Sequence, residues 1–139
     1  MALVGRLHPL IVHFPIALVI VAAFAEVVTT ATGDCRWRGV AFLNVRAGAI
    51  FALAALIAGW RLVSTLGLES SPLLEWHRWT GVIAVLLTVT VAVATWHAER
   101  KPLRHLWIYR IALVSAASLV AVTGHIGGML VWGVNFLHP

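Results

Sequence analysis

The sequence predicts an all-α fold, a transmembrane antiparallel four-helix bundle that forms a single domain over residues 1–139. Hydrophobic residues make up 61% of the chain and charged residues only 11%, which lies outside the range of soluble domains. Four apolar runs each reach the roughly 20 residues that a helix needs to span a bilayer. Since none alternates with a period of two, strands of a membrane barrel are excluded.

The apolar runs set the predicted helix boundaries. They cover Pro9 to Ala31, Val40 to Ser64, Pro72 to His97, and Leu106 to Val131. Ser71 and Pro72 are typical of an N-cap and a first helical position, and they mark the start of the third helix. Pro15 is predicted to bend the first helix, because it removes the amide donor for the carbonyl of Ile11.

Basic residues predict the orientation. Side A, the side of the N-terminus, carries Arg6, Arg61 and Arg78. The opposite side, side B, carries Arg36, Arg38, Arg46, Arg100, Lys101, Arg104 and Arg110. The positive-inside rule makes side B cytoplasmic and places both termini outside. These charges are interleaved with membrane helices, so nucleic acid is not an expected partner. Glu26, near side B, is expected to pair with Arg36 or Arg46.

Three histidines are the candidate functional residues. His13, His77 and His125 lie on different helices, roughly 6, 8 and 9 Å below the side A ends at ~1.5 Å per residue. An ionisable side chain inside a membrane span is costly and marks a candidate functional site. The sequence therefore predicts that the three imidazoles meet in one pocket. Cys35, the single cysteine, excludes an internal disulfide and a thiolate metal cluster.

Haem b is the predicted cofactor. It needs two histidines, a slot lined by small residues, and cations for its propionates. Gly81 follows His77 by one helical turn, and Gly124 adjoins His125. The propionates are expected to meet the side A arginines, Arg6, Arg61 and Arg78.

The ligand pairing remains open at this point. The first and third helices of a simple up-down bundle are diagonal, about 14 Å apart, which favours His13 and His77 as axial ligands. His77 with His125 is the second choice. If His13 and His77 bind the iron, His125 is expected to hydrogen-bond a propionate, a quinone carbonyl or a second cofactor. The alternatives are a tri-histidine copper or zinc site and interhelical hydrogen bonds without a cofactor.

The remaining histidines are assigned to surfaces. His8 is expected at the membrane interface, with ligation of a second haem as the alternative. His97 and His105 flank the side B loop, and His138 lies in the C-terminal tail. None of these four is a predicted ligand of the main site.

Three spaced elements carry a family resemblance. They are His8-Pro9-x-x-Val12-His13-Phe14-Pro15, His77-Arg78-Trp79-x-Gly81 and Gly124-His125-x-Gly127-Gly128. In this order they resemble the bacterial membrane proteins of DUF2231, a domain of unknown function, over nearly the whole chain. The resemblance implies a four-helix membrane protein with these histidines as its signature, in a family suspected of binding haem. It brings no catalytic reaction with it.

Together these observations predict a small cytochrome b in the bacterial inner membrane, with its histidines toward the periplasm. It is expected to transfer electrons as a subunit of a larger respiratory or photosynthetic complex, with a quinone or a cytochrome c as partner. Lipid surrounds it, and stand-alone enzyme activity is not expected. The alternatives are a cofactor-free accessory or scaffold subunit and a copper- or zinc-binding membrane protein.

Overall fold

The computed structural model describes residues 5–67, 69–101 and 106–135, and no strand occurs in these ranges. The helices are α1 (His8–Ile11), α2 (His13–Thr32), α3 (Cys35–Leu66), α4 (Pro72–Ala98) and α5 (Trp107–Trp132). With α1 and α2 taken together, four segments of 25 to 32 residues are long and apolar enough to cross a membrane. The predicted all-α transmembrane fold is therefore confirmed. Arg104, His105 and His138 lie outside the described residues.

The first span is interrupted rather than smoothly bent. Helix α1 ends at Ile11 and α2 begins at His13, with Val12 between them. Pro15 has no amide hydrogen for the carbonyl of Ile11. The next amide, of Ile16, lies 3.4 Å from the carbonyl oxygen of Val12, a long hydrogen bond. Val12 nevertheless keeps helical dihedrals (φ −61°, ψ −25°), so α1 and α2 stay in one helical register across this weakly bonded turn.

Local sequence explains where the other helices begin. The Asp34 side chain accepts a hydrogen bond from the Arg36 amide at 2.9 Å and caps α3. The Ser71 hydroxyl accepts one from the Leu74 amide at 3.2 Å and caps α4, as predicted. Gly33 has a φ of 75° and ends α2, a conformation that costs glycine no steric strain. Capping and turn residues thus fix these helix ends.

The helices form a closed ring. Each of α2, α3 and α4 packs against the next helix, and α5 packs back on α2, the up-down order that the sequence predicts. The largest fully buried residues include Val19, Val45, Val91 and Leu113. Small residues let the helices approach closely, since a Cβ on Gly48 of α3 would lie 2.9 Å from Val19 Cγ2 of α2.

The outer surface of the bundle is apolar. Leu43 and Ile50 are each 69% exposed, and large aliphatic and aromatic side chains on every span also point outward. Such a continuous apolar surface is unusual for a soluble monomer but is expected of spans in contact with lipid. The protein therefore contacts membrane lipid along its length.

Ion pairs join helices at side B. Arg110 Nε of α5 donates to Glu26 Oε1 of α2 at 2.9 Å, and Glu26 is only 3% exposed. Arg46 pairs instead with Glu99 and donates to Thr95 Oγ1 at 2.7 Å. The expected pairing of Glu26 with Arg36 or Arg46 is therefore wrong. The reason is that α5 packs against α2 and brings Arg110 to Glu26, while Arg46 of α3 turns to Glu99 at the end of α4.

Removal of the Glu26 carboxylate is expected to destabilise the bundle. In Glu26→Ala the Arg110 guanidinium stays at a largely buried position without its counter-charge, which costs about 3 kcal/mol when a buried pair is broken. The free energy of unfolding, measured by denaturing-detergent titration in mixed micelles, should fall by about that amount. The control is Glu75→Ala, because the carboxylate that pairs with Arg78 is 42% exposed and its removal should lower the free energy of unfolding far less. Equal losses would contradict this interpretation.

Close packing of α2 on α3 gives a second test. Gly48→Leu places a side chain where a Cβ alone would lie 2.9 Å from Val19, so overpacking should lower the free energy of unfolding by about 1–3 kcal/mol. The matched control is Gly39→Leu on the same helix, because nothing lies within 4 Å of a Cβ at Gly39. The same titration should show no loss for Gly39→Leu. A loss as large as that of Gly48→Leu would mean that contact with Val19 is not the cause.

Candidate functional site

Two histidines meet at side A, and one of them is not a predicted ligand. The ring centres of His8 in α1 and His77 in α4 lie 6.3 Å apart, with their planes at 79°. Both residues are half-buried. The imidazole that faces His77 is therefore that of His8, which the sequence analysis assigned to the membrane interface.

Main-chain carbonyls fix the orientation and the tautomer of both rings. His8 Nδ1 lies 2.9 Å from the carbonyl oxygen of Ala55 in α3, and His77 Nδ1 lies 3.2 Å from that of Thr123 in α5. A carbonyl oxygen only accepts, so each Nδ1 must carry the hydrogen and donate it. Each Nε2 then has a lone pair, and neither Nε2 has a hydrogen-bond partner among the described residues. Metal-binding histidines are commonly oriented by a carbonyl in this way.

Two glycines make room for the rings. A Cβ on Gly59 of α3 would lie 2.8 Å from His8 Cε1, and a Cβ on Gly127 of α5 would lie 3.0 Å from His77 Cε1. Real Cβ atoms almost never come closer than this, so any larger residue would displace the ring that it touches. Gly128, the next residue along, has nothing within 4 Å of its Cβ position. The fit of imidazole against glycine is therefore specific to Gly59 and Gly127.

His13 and His125 do not join this pair. Both are exposed, and neither has a hydrogen bond, an ion pair or a ring contact with any other described residue. No group of three or more His, Cys, Asp or Glu residues that could hold a metal ion occurs in the described ranges. Of the three predicted histidines, only His77 lies at the site.

Helix periodicity explains this placement. The buried face of α2 runs through Pro15, Val19, Ala22, Ala25, Glu26 and Thr29. His13 precedes Pro15 by two residues, about 200° around the helix at 3.6 residues per turn, and so lies on the opposite face. His8 precedes Pro15 by seven residues, the two-turn spacing that returns to the same face. This spacing is the signal that identifies His8, and a comparison of depth alone misses it.

The predicted arginines lie around side A. Arg78 donates to Glu75 Oε1 at 2.9 Å, and its guanidinium carbon lies 5.8 Å from the centre of the Trp60 ring. Arg6 and Arg61 are exposed. Arg78 is thus held in position by Glu75 and Trp60, on the turn of α4 that also carries His77.

The two predicted glycines lie at helix contacts. A Cβ on Gly124 would lie 2.9 Å from Ile16 Cδ1 of α2, so Gly124 permits close packing of α5 on α2. A Cβ on Gly81 would be 3.6 Å from Thr123 Cγ2, an ordinary contact between α4 and α5. The glycines that touch the histidine pair are Gly59 and Gly127 instead.

Comparison with known proteins identifies a family but no individual relative. The family model described as predicted membrane protein, DUF2231, matches residues 6–136. No curated protein and no solved structure matches the chain. The matched range includes all four spans and both histidines of the pair, and it agrees with the resemblance carried by the three sequence elements. The chain therefore belongs to the DUF2231 family of predicted membrane proteins.

Proposed function

We propose that this protein binds haem b through His8 and His77 and takes part in electron transfer at the side A face of the membrane. The observation that carries the proposal is the pair of half-buried imidazoles, 6.3 Å apart, each with Nδ1 held by a carbonyl and with Nε2 unclaimed among the described residues. Two such nitrogens are the donor set that bis-histidine haem iron requires.

The distance between the rings fits a shared iron atom. Two metal–imidazole bonds of about 2 Å each, with half a ring added on either side, place the ring centres roughly 6 Å apart. The 6.3 Å separation agrees with this sum.

Packing also favours side A for a flat cofactor. The buried residues of α3 in this half are small: Ala52, Ala55 and Ala58. On α5, no described residue after Val120 is buried. The large buried side chains that fill the core, such as Val45 and Leu113, lie toward side B. Side A is therefore the half of the bundle in which the buried residues of α3 are small.

The protein's own residues would bind and orient the group, while haem supplies reversible one-electron chemistry. Arg78, on the same turn as His77 and already paired with Glu75, would share its charge with a propionate, and Arg6 and Arg61 add positive charge at this side. The excess of basic residues at side B supports a periplasmic position for the pair in a bacterial inner membrane. Electron exchange would then be with another subunit, a quinone or a cytochrome c.

Histidine variants test the ligand assignment. The protein is purified from cells supplied with haem precursor, and haem is measured by the reduced-minus-oxidised spectrum per mole of protein. We expect a haem b band in the wild type and its loss in both His8→Ala and His77→Ala, because each removes one of the two nitrogens that would hold the iron. His97→Ala is the control, since His97 is exposed at the side B end of α4 and should leave the band intact.

Other results would support other assignments. If His8→Ala retains haem and His13→Ala loses it, the ligands are His13 and His77. If His8→Ala retains haem and His125→Ala loses it, the ligands are His77 and His125. A folded wild type without any haem band contradicts the proposal and favours a cofactor-free scaffold subunit. Copper or zinc found by metal analysis in place of iron favours the metal-binding alternative.

Glycine variants test the geometry without removing a ligand. Gly59→Ala and Gly127→Ala each push a Cβ against one imidazole, and misplacement of a ligand should weaken haem binding about tenfold. Gly128→Ala is the matched control, because its Cβ meets nothing within 4 Å. Haem titration of apoprotein in detergent gives the dissociation constants. Three equal constants would show that neither ring needs the space at its glycine.

A further inference from the structure

A groove at side B lies at the opposite end of the bundle from the histidine pair. It has a volume of about 380 Å³ and lies between the start of α3 and the end of α4, lined among others by Cys35, Arg38, Gly39, Leu43 and Glu99. None of these residues takes part in the proposed haem site. The side B groove is therefore separate from the proposed haem site.

Arg38 is the unbalanced charge of the side B groove. Its neighbour Arg46 is neutralised by Glu99. In the described part of the chain Arg38 has no carboxylate partner; its Nη2 donates to the carbonyl of Lys101 at 3.1 Å, and its Nε is buried without a hydrogen-bond partner. A buried guanidinium donor left unbonded is costly. An anionic acceptor in the groove would balance the charge of the guanidinium.

The surroundings of Arg38 favour a lipid over a soluble anion. Arg38 lies in the first turn of α3, where the span meets the membrane surface, and its guanidinium carbon is 5.2 Å from the centre of the Phe42 ring. One turn deeper, Leu43 also lines the groove and is 69% exposed. A cation at the surface followed by an apolar wall within the span matches a phosphate headgroup followed by an acyl chain. Exposed Arg36, Arg100 and Lys101 add to the positive field at this side.

We infer that the side B groove binds an anionic phospholipid, with Arg38 donating to the headgroup phosphate and Leu43 contacting an acyl chain. The site requires no haem and lies at the other face of the membrane, so it holds whether or not the histidine pair binds a cofactor.

Native mass spectrometry in a neutral detergent tests this inference directly. Dioctanoyl phosphatidylglycerol and dioctanoyl phosphatidylcholine are compared, since they share acyl chains and differ in net charge. We expect one phosphatidylglycerol to bind in preference, and Arg38→Gln to weaken it at least about fivefold, the contribution of one basic residue near a charged membrane. Arg36→Gln is the matched control, because Arg36 is exposed and does not line the groove. Equal binding of the two lipids, or equal loss in the two variants, overturns the inference.

A second variant tests the groove itself. Gly39→Leu fills the groove from a position whose Cβ meets nothing within 4 Å, so the helix keeps its place while the space is lost. We expect it to reduce phosphatidylglycerol binding as Arg38→Gln does, although every charge is retained. Undiminished binding by Gly39→Leu would place the lipid elsewhere on the surface.

Cys35 provides a readout at the site and separates a lipid from free phosphate. It is the only cysteine of the chain, and it is exposed at the groove. Phosphatidylglycerol should slow its labelling by a neutral maleimide in the wild type and in Arg36→Gln, but not in Arg38→Gln. Inorganic phosphate at the same concentration should leave the rate unchanged. Equal protection by inorganic phosphate would make the groove a soluble-anion site and contradict the assignment to a lipid.

Discussion

The histidine pair depends on one constraint: a polar group inside a membrane span is costly unless it finds a partner within the protein. His8 and His77 meet it with main-chain carbonyls of other helices. The bond from His8 reaches Ala55 and joins α1 to α3, while the bond from His77 reaches Thr123 and joins α4 to α5. The two rings then face each other across the junction of these pairs. The same bonds that satisfy the histidines thus position them and leave their second nitrogens available.

The two ends of the bundle are packed with different kinds of side chain. At side B, Phe42 packs edge to face on Tyr109 with their centres 5.5 Å apart, and the pairs Arg110–Glu26 and Arg46–Glu99 tie neighbouring helices. At side A, alanine and glycine line the helix contacts instead. Large buried side chains and ion pairs hold side B together, so side A does not have to be filled to keep the bundle closed. A site for a cofactor costs the least stability at such an end.

Sequence reasoning succeeded where the signal is local. The length of apolar runs predicted four spans, and Ser71 predicted the start of α4, because lipid thickness and capping act on one segment at a time. It failed where the answer depends on which face of a helix is buried. These helices are apolar on nearly every face, so the hydrophobic pattern gives little indication of the interior. His13 was predicted because it lies at the same depth in the membrane as His77 and His125. His8 instead lies two turns before the buried Pro15 and therefore faces the interior of the bundle.

Distance along α3 separates the two sites. Gly59 receives His8 near one end of the helix and Arg38 lies near the other, about 21 residues or roughly 32 Å away at 1.5 Å per residue. This is close to the ~30 Å of a hydrocarbon core, so both sites fall where a span meets a membrane surface, on opposite faces. Charges so far apart interact weakly. Arg46 is the one charged residue of α3 between the two positions, and it is already paired with Glu99. One rigid helix therefore contacts both the histidine pair and the side B groove, and its length holds them at the two boundaries of the bilayer.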